Sequence, residues 1–312
     1  MPWWFFRRHS RNTARTATSA QPSSGWQPGE IALPRLQGPR RYLQEQPYLL
    51  PKDLGEVNRL DFQHYVLRAI LHGNYLAPIQ QPRRILDVGC GTGQWAFELA
   101  QQFPQAEVIG LDLELVKASA SPPPNYRFVQ GDILHGLPFD NDSFDFVHQR
   151  LLFLAIPQAA WPAAVQELAR VTAPGGWIEL VESSPAPQDL TPSGPATQEF
   201  CRLGGALAAL RGLDAEGIVL RSLAHYLEKA GLANVHYHPF DVPLGKWGGR
   251  LGSLMAMNLH EAWKAISAPT AARFSRSEQE ILQLIEQASQ EWNEFQTQLH
   301  FAVAYGQKPF TR

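Results

Sequence analysis

The sequence is poor in cysteine. Only Cys90 and Cys201 occur among 312 residues. Two cysteines cannot build a disulfide framework, and neither a CxxC pair nor a histidine–cysteine cluster is present to bind zinc. We therefore expect no metal site. The scarcity fits a reducing compartment, and we expect a cytoplasmic protein.

Charge and long apolar runs are also limited. Charged residues make up 18% of the chain and the formal net charge is −2, so no basic excess directs the chain to nucleic acid or to an anionic membrane. No apolar run approaches the roughly 18 residues that a membrane span requires. Hydrophobic residues make up 44%, which is enough for a substantial core.

The N-terminal end differs from the remainder in composition. Residues 1–29 contain no aspartate or glutamate and are rich in arginine, serine and threonine. We predict a flexible N-terminal arm over residues 1–46 and one domain over residues 47–312. A surface anchor for a membrane or a partner, and an organelle transit peptide, are the alternatives for the arm.

Apolar runs of strand length alternate with segments of helical periodicity. Strands are predicted at 84–88, 107–112, 126–130, 143–147 and 177–182, and helices at 56–73, after residue 93, and at 158–171. This alternation predicts a doubly wound parallel α/β sheet, in which ligands bind at the carboxyl ends of the strands. Residues 185–295 are less regular and mostly helical, with a strand at 234–238, and a last strand is predicted at 298–305.

A glycine-rich turn follows the first predicted strand. The run Asp87-Val-Gly-Cys-Gly-Thr-Gly93 places Gly89, Gly91 and Gly93 where the backbone must turn tightly and approach a ligand. The next helix offers unpaired N–H groups to an anion, either a pyrophosphate or the carboxylate of a methionine moiety. The spacing is GxGxG rather than the GxGxxG of dinucleotide sites. A turn with only a structural role is the alternative.

Two further acidic residues follow strand ends. Asp112 ends the second strand, where a carboxylate can accept both hydroxyls of a ribose, and Leu113 adjoins it. Gly131, Asp132 and Ile133 follow the third strand, where Asp132 could accept from an adenine amino group and Ile133 could pack on the ring. A capping role is the alternative for both aspartates.

These motifs together resemble the class I S-adenosylmethionine (SAM) dependent methyltransferases. The runs DVGCGTG, LD ending at Asp112, GD ending at Asp132 and PFxxxSFDxV over 138–147 occur in family-like order across residues 83–182. The resemblance implies SAM as cofactor and a Rossmann-like seven-stranded sheet whose last strand is antiparallel. We assign the core to 83–184, helical lid insertions that select the substrate to 185–295, and the last strand to 298–306.

A second resemblance lies upstream of the glycine-rich turn. The run LPKDLGEVNRLDFQH at 50–64 is similar to the LPxDxxExxRLDxQH segment of the fungal LaeA-type regulators of secondary metabolism. It extends the match to about residues 47–182. This resemblance does not identify a substrate.

Methyl transfer from a sulfonium is an in-line displacement, which depends mainly on alignment of the reactants. A general base is needed only if the acceptor must lose a proton. We predict His148 as a base, Arg150 as a clamp for an anionic substrate, and Glu182 as a base or a partner for a cationic acceptor. Each has a structural alternative: a hydrogen bond to the backbone, an ion pair, or a structural carboxylate.

Two more residues complete the predicted cofactor site, which also includes Asp87. Gln149 follows the fourth strand and is placed to meet the edge of the cofactor. Arg59 lies on the helix at 56–73, and it could pair with the methionine carboxylate. A solvated helix face is the alternative for Arg59.

The predicted function is transfer of a methyl group from SAM to a small molecule, such as a secondary metabolite. A homodimer is compatible with the sequence, whereas nucleic acid is not an expected partner. One rival is a nicotinamide-dependent oxidoreductase on a similar sheet. Others are a non-catalytic regulatory subunit acting through a protein partner, and a methyltransferase that acts on protein or nucleic acid.

Overall fold

The structure is a computed structural model of the chain. It describes residues 54–116 and 121–310, with side chains given from residue 59 onward. The predicted N-terminal arm over residues 1–46 and the first part of the LaeA-like segment lie outside the described residues.

The described chain contains strands and α-helices that alternate through its first half. The strands are β1 (Arg84–Val88), β2 (Glu107–Asp112), β3 (Tyr126–Gln130), β4 (Phe144–Arg150), β5 (Thr172–Ser183), β6 (Leu190–Thr191), β7 (Ala233–Pro243) and β8 (Gln298–Gln307). The helices are α1 (Leu54–Ile70), α2 (Gln94–Gln102), α3 (Trp161–Val171), α4 (Pro195–Ala209), α5 (Ile218–Lys229), α6 (Gly249–Ala265), α7 (Ser267–Arg273) and α8 (Glu278–Glu294).

One sheet joins all of these strands, in the order β3-β2-β1-β4-β5-β8-β6, with β7 also paired to β8. The strands from β3 to β5 along this order are parallel. Strand β8 runs antiparallel to β5, which confirms the predicted α/β fold with its antiparallel last strand. The described sheet has eight strands rather than seven, because the two-residue β6 pairs with the start of β8.

Helices cover both faces of the sheet, which explains why its central strands are apolar throughout. Helices α3 and α5 pack on one face against side chains such as Leu86 and Val147. Helix α2 packs on the other face against Ile85, Val108 and Phe146. A third cluster joins α1, α4, α6, α7 and α8 to the start of β8. This third cluster lies beside the carboxyl ends of β4 and β5.

Strand β5 begins five residues earlier than predicted. Residues 174–176 lie within it, because the pairing with β4 shifts register between Phe144 and Phe146 and accommodates the extra residues as a bulge. A Cβ at Gly176 would approach three backbone oxygens at 2.9–3.0 Å, so this position requires glycine.

Part of the predicted lid region over residues 185–295 packs with the core of the sheet, and the role of the remainder in selecting the substrate stays a prediction. Helix α5 buries Val219, Leu223 and Leu227 in the same cluster as α3, and β7 is an eleven-residue strand of the sheet. Both elements therefore belong to the core. Helices α4 and α6 border the cavity described below. Helix α8 packs in the same cluster as these two helices and begins at a capping box formed by Ser277 and Glu280.

Candidate cofactor and acceptor site

The glycine-rich turn is fastened to the neighbouring strand by its backbone. The N–H groups of Gly89 and Cys90 both donate to the Leu111 carbonyl, at 2.7 and 3.0 Å. Gly89, Gly91 and Gly93 have positive φ angles of 71°, 54° and 79°. A Cβ at Gly89 would lie 2.5 Å from Cδ2 of Leu152, so glycine is required there for both conformation and space.

Asp112 lies between this turn and the loop after β2. One carboxylate oxygen accepts from the Gly91 N–H at 2.9 Å, and the other accepts from the Leu113 N–H at 2.7 Å. Each oxygen has a second lone pair that can accept from a ligand hydroxyl. The position fits the predicted ribose site, whose role stays a prediction.

Asp132 has the capping role that was the alternative interpretation. Its carboxylate accepts from the Leu134 N–H at 2.9 Å at the start of a 3-10 turn, and it lies 2.8 Å from Nδ1 of His135. The Gly131 N–H donates to the Asp112 carbonyl, which brings the two acidic positions together. Asp132 and Ile133 border the same cavity as the glycine-rich turn.

His148 is enclosed beneath the turn. Its Nδ1 lies 2.8 Å from Oδ1 of the buried Asp87, and the Trp95 ring stacks on it with 3.8 Å between ring centres. Burial lowers the pKa of His148 and so favours the neutral ring, although the Asp87 carboxylate acts in the opposite direction. The side chain is 1% exposed. The ring supports the turn, but it also borders the cavity, so the predicted role as an acceptor base stays a prediction.

Helix α1 lies against the glycine-rich turn. Asp61 accepts from the Thr92 hydroxyl at 2.8 Å, and Cδ1 of Leu60 lies 3.4 Å from where a Cβ on Gly91 would be. On the same helix, Arg59 donates to Oδ1 of Asn258 on α6 at 2.8 Å. The helix therefore links the turn to α6, and Arg59 borders the cavity.

Arg150 lies in a polar network under α1. Its Nη2 is 3.2 Å from Nδ1 of His64, and Nε2 of His64 is 3.2 Å from Glu98. Burial raises the pKa of Glu98, but hydrogen bonds with His64 and Asn74 outweigh it and lower that pKa to about 2. Arg150 also borders the cavity, where it could reach an anionic group of a substrate. Its predicted role as a clamp for such a group stays a prediction.

Gln149 and Glu182 face away from the cavity, which corrects two predictions. Successive residues of a strand point to opposite faces, so Gln149 points away from the face that carries His148 and Arg150. Both Gln149 and Glu182 are fully buried, and neither borders the cavity. Glu182 accepts from the N–H groups of Leu152 and Phe153 at 2.9 and 3.2 Å.

The cavity continues from the turn into an apolar region. Its volume is about 690 Å³, within the range of ligand pockets. The far end, which we call the acceptor end, is almost entirely apolar; its lining includes Leu151, Leu154, Leu190, Phe200, Gly204, Met255, Leu259, Ala262, Trp263, Ile266, Leu299 and Phe301. Sequence reasoning missed these residues. The available signal was the apolar face of the segments that form α4 and α6.

Two other features concern the described part of the chain: metal-binding clusters and membrane-spanning helices. No three histidine, cysteine, aspartate or glutamate side chains are grouped there to hold a metal ion. Among the described helices, none combines the length and the apolar character needed to cross a membrane.

Known proteins resemble the chain in sequence and in fold. Residues 85–176 match the Methyltransferase domain family. The chain is 31% identical to methyltransferase pytC of Aspergillus terreus, over 71% of this chain and 70% of that protein. It is 32% identical to the secondary metabolism regulator LAE1 of Cochliobolus heterostrophus, over 64% of this chain and 67% of that protein.

One solved structure is similar in fold. It is described as a methyltransferase from an antibiotic biosynthesis pathway of Anabaena variabilis. It aligns with 78% of this chain and 96% of its own length, with a TM-score of 0.50 and 17% sequence identity. At this identity the likeness concerns the fold alone.

Proposed function

The chain belongs to the SAM-dependent methyltransferases, and we propose that it methylates an apolar small molecule, such as a secondary metabolite. The observation that carries the proposal is the continuous cavity, which has the glycine-rich turn at one end and apolar side chains at the other. The acceptor end has a stacked pair, Phe200 and Trp263, with 4.2 Å between ring centres. Such a wall suits a flat, apolar acceptor.

The residues at the cofactor end fit SAM. Helix α2 has Gly93 as N-cap without a side-chain hydrogen bond, so its first N–H groups are available to the methionine carboxylate. We assign the ribose hydroxyls to Asp112, and the adenine to Asp132 with Ile133. When bound, SAM supplies a methyl group activated by the adjacent sulfonium.

The chain's own contribution to catalysis is positioning and exclusion of water. Leu151, Leu154 and Met255 surround the acceptor end with apolar groups, which keeps a nucleophile poorly hydrated. Glu182 does not border the cavity, and the His148 ring is held by Asp87 and Trp95. We therefore assign the rate acceleration to alignment of the two reactants, which can lower a barrier by ~7–11 kcal/mol.

The regulatory alternative and several smaller predictions need separate tests. A regulatory protein without catalysis would bind a protein partner and methylate no small molecule. The cytoplasmic location, the homodimer, the absence of a nucleic-acid partner and the division into an arm (1–46) and a domain (47–312) stay proposals. Cell fractionation, gel filtration, nucleic-acid binding assays and limited proteolysis would test them.

Calorimetry with SAM and S-adenosylhomocysteine tests the cofactor site. We expect Asp112→Ala to weaken binding by about 10- to 100-fold, because hydrogen bonds to a charged group contribute ~1.5–3 kcal/mol each. Asp145→Ala is the matched control, since Asp145 also accepts from two backbone N–H groups, those of Arg83 and Arg84, but lies outside the cavity. The control should bind SAM normally.

An acceptor screen follows, with labelled SAM and a panel of 1-naphthol, 2-naphthylamine and 2-naphthoic acid. These probes share a flat apolar body and differ in the group that would be methylated. Turnover of one probe would support the proposal. Folded wild-type protein that binds no SAM would contradict the assigned cofactor site, and SAM binding without turnover of any probe would contradict the proposed acceptor class.

A further inference from the structure

Glu182 is a buried acid whose partners are backbone groups. It is the penultimate residue of β5, is fully buried, and accepts from the N–H groups of Leu152 and Phe153. The groups that face it are the amides of residues 151–153 and the side-chain amide of Gln149, with no charged side chain among them in the described part of the chain. Burying a carboxyl without a cation is costly, so its presence requires an explanation.

The residues that Glu182 holds are the post-β4 segment (residues 151–154). Leu151 has a φ of +57°, a left-handed conformation that is unusual for a non-glycine residue, and its N–H donates to the Val181 carbonyl. Backbone of this kind persists only where its surroundings enforce it. The N–H groups of the next two residues, Leu152 and Phe153, both donate to Glu182, and these two hydrogen bonds hold Leu151 in this conformation.

The post-β4 segment contacts both ends of the cavity. Leu152 lies so close to Gly89 that a Cβ there would meet it at 2.5 Å, which places Leu152 against the glycine-rich turn. Leu151 and Leu154 pack against the cluster that includes Phe200, Met255 and Trp263 at the acceptor end. The segment therefore joins the cofactor end of the cavity to its acceptor end.

We propose that Glu182 is a positioning residue, which holds the post-β4 segment so that the methyl group and the acceptor are aligned. This inference rests on the proposed methyl transfer. It differs from the predicted role as a base, because Glu182 does not border the cavity and acts through Leu151, Leu152 and Leu154. Misplacement by about 1 Å can slow a reaction roughly 100-fold, so a small loosening should be measurable.

The charge of Glu182 adds a second readout. Burial raises the pKa of Glu182 to about 8, although the backbone amides and Gln149 oppose the increase. The ionised carboxylate accepts hydrogen bonds more strongly than the protonated acid. We therefore expect kcat of the wild type to rise as the pH passes through about 8.

The test compares Glu182→Gln with Glu179→Gln. Glu179 lies on the same strand and is also fully buried. It accepts from the N–H groups of Leu76 and Ala77 at 2.7 Å, on the sheet face opposite to that of Glu182, and it does not border the cavity. We expect Glu182→Gln to lower kcat for the best naphthyl probe by about 10- to 100-fold, with an unchanged Kd for SAM. It should also lose the rise near pH 8, whereas Glu179→Gln should retain both the rate and the pH profile.

Hydrogen exchange of the peptide spanning residues 151–156 gives a measurement that needs no acceptor. Glu182→Gln should speed its exchange, and Glu179→Gln should not. Equal kcat in the two variants, or unchanged exchange of this peptide, would overturn the positioning role even where SAM binding and turnover by the wild type establish the proposed function. Wild type that binds SAM but methylates no probe would count against the proposed function, while the exchange result would still decide whether Glu182 holds the segment.

A second variant covers the case in which Glu182→Gln does not fold. Leu151→Gly removes the strain of the positive φ, so it should fold, but it frees the post-β4 segment and removes its side chain from the acceptor end. We expect lower kcat with an unchanged Kd for SAM. Wild-type kcat in this variant would contradict the inference.

Discussion

The two ends of the cavity are built in different ways. The cofactor end comes from three loops that each follow a strand within residues 87–133, and many of its polar groups are held by backbone hydrogen bonds. The acceptor end is assembled from helices and strands between residues 151 and 301 that share no motif, and it is apolar. Substitutions should therefore separate binding of SAM from choice of acceptor.

The largest effect is expected at the cofactor end, from Gly89→Ala. The new Cβ would lie 2.5 Å from Cδ2 of Leu152 and would force a positive φ on alanine. We expect SAM binding to weaken by roughly 100-fold, which corresponds to about 3 kcal/mol. Calorimetry measures this directly.

Gly231→Ala is the matched control for the backbone strain. Gly231 also has a positive φ, of 87°, but nothing lies within 4 Å of its Cβ position. This variant should lose some thermal stability and bind SAM normally. Equal loss of SAM binding in both variants would mean that the cofactor end does not depend on the close contact at Gly89.

A smaller effect is expected at the acceptor end, from Gly204→Leu. Gly204 borders the cavity in the middle of α4, and the nearest atoms lie 3.8 Å from its Cβ position, so a longer side chain can enter the cavity. We expect the KM for the naphthyl probe to rise about tenfold, or by ~1.4 kcal/mol, without a change in the Kd for SAM.

Gly204→Ala controls for the change in the helix itself. Alanine in a helix interior is more favourable than glycine by about 1 kcal/mol, so this variant should gain thermal stability and keep its acceptor. A weakened Kd for SAM in Gly204→Leu would show that the two ends are coupled at α4.

The last prediction concerns stability and pH and does not depend on either ligand. Burial raises the pKa of Glu179 to about 7 and that of Glu182 to about 8, from 4.5. Between these values and 4.5 the folded chain binds more protons than the unfolded chain, so the free energy of unfolding decreases as the pH rises through this window. Thermal unfolding from pH 5 to 8.5 should show the decrease.

The glutamine variants resolve the two contributions. Glu179→Gln should remove the part of the decrease in the free energy of unfolding that ends near pH 7. Glu182→Gln should remove the part that ends near pH 8. A decrease that persists unchanged in both variants would have to arise from other groups.

The cofactor end could be predicted from the sequence because its signals are local. Asp87, Gly89 and Asp112 each follow from the end of an apolar strand and the residue type found there. The sequence could not predict in this way toward which face of the sheet the side chains of His148, Gln149 and Glu182 point. The central strands are buried on both faces, so the alternation of apolar and polar residues that marks a face is missing.

The acceptor end and the core elements of the second half could not be separated from the sequence. Helices α4 and α5 have similar apolar faces, yet α4 borders the cavity and α5 packs under the sheet. The surface against which a helix packs depends on the path of the chain in three dimensions. The local sequence pattern of the helix does not determine that path. The strand at 234–238 was recognised, but its place in the sheet was not.

Strand β7 has a consequence for how the protein behaves in concentrated solution. Within the described part of the chain β8 is its only neighbour, so an eleven-residue edge is left open to pairing with another molecule. Pro239 and Pro243 lack the N–H that a new strand would need, and the exposed Asp241 adds charge to the same edge. The strand therefore carries its own protection against edge-to-edge aggregation.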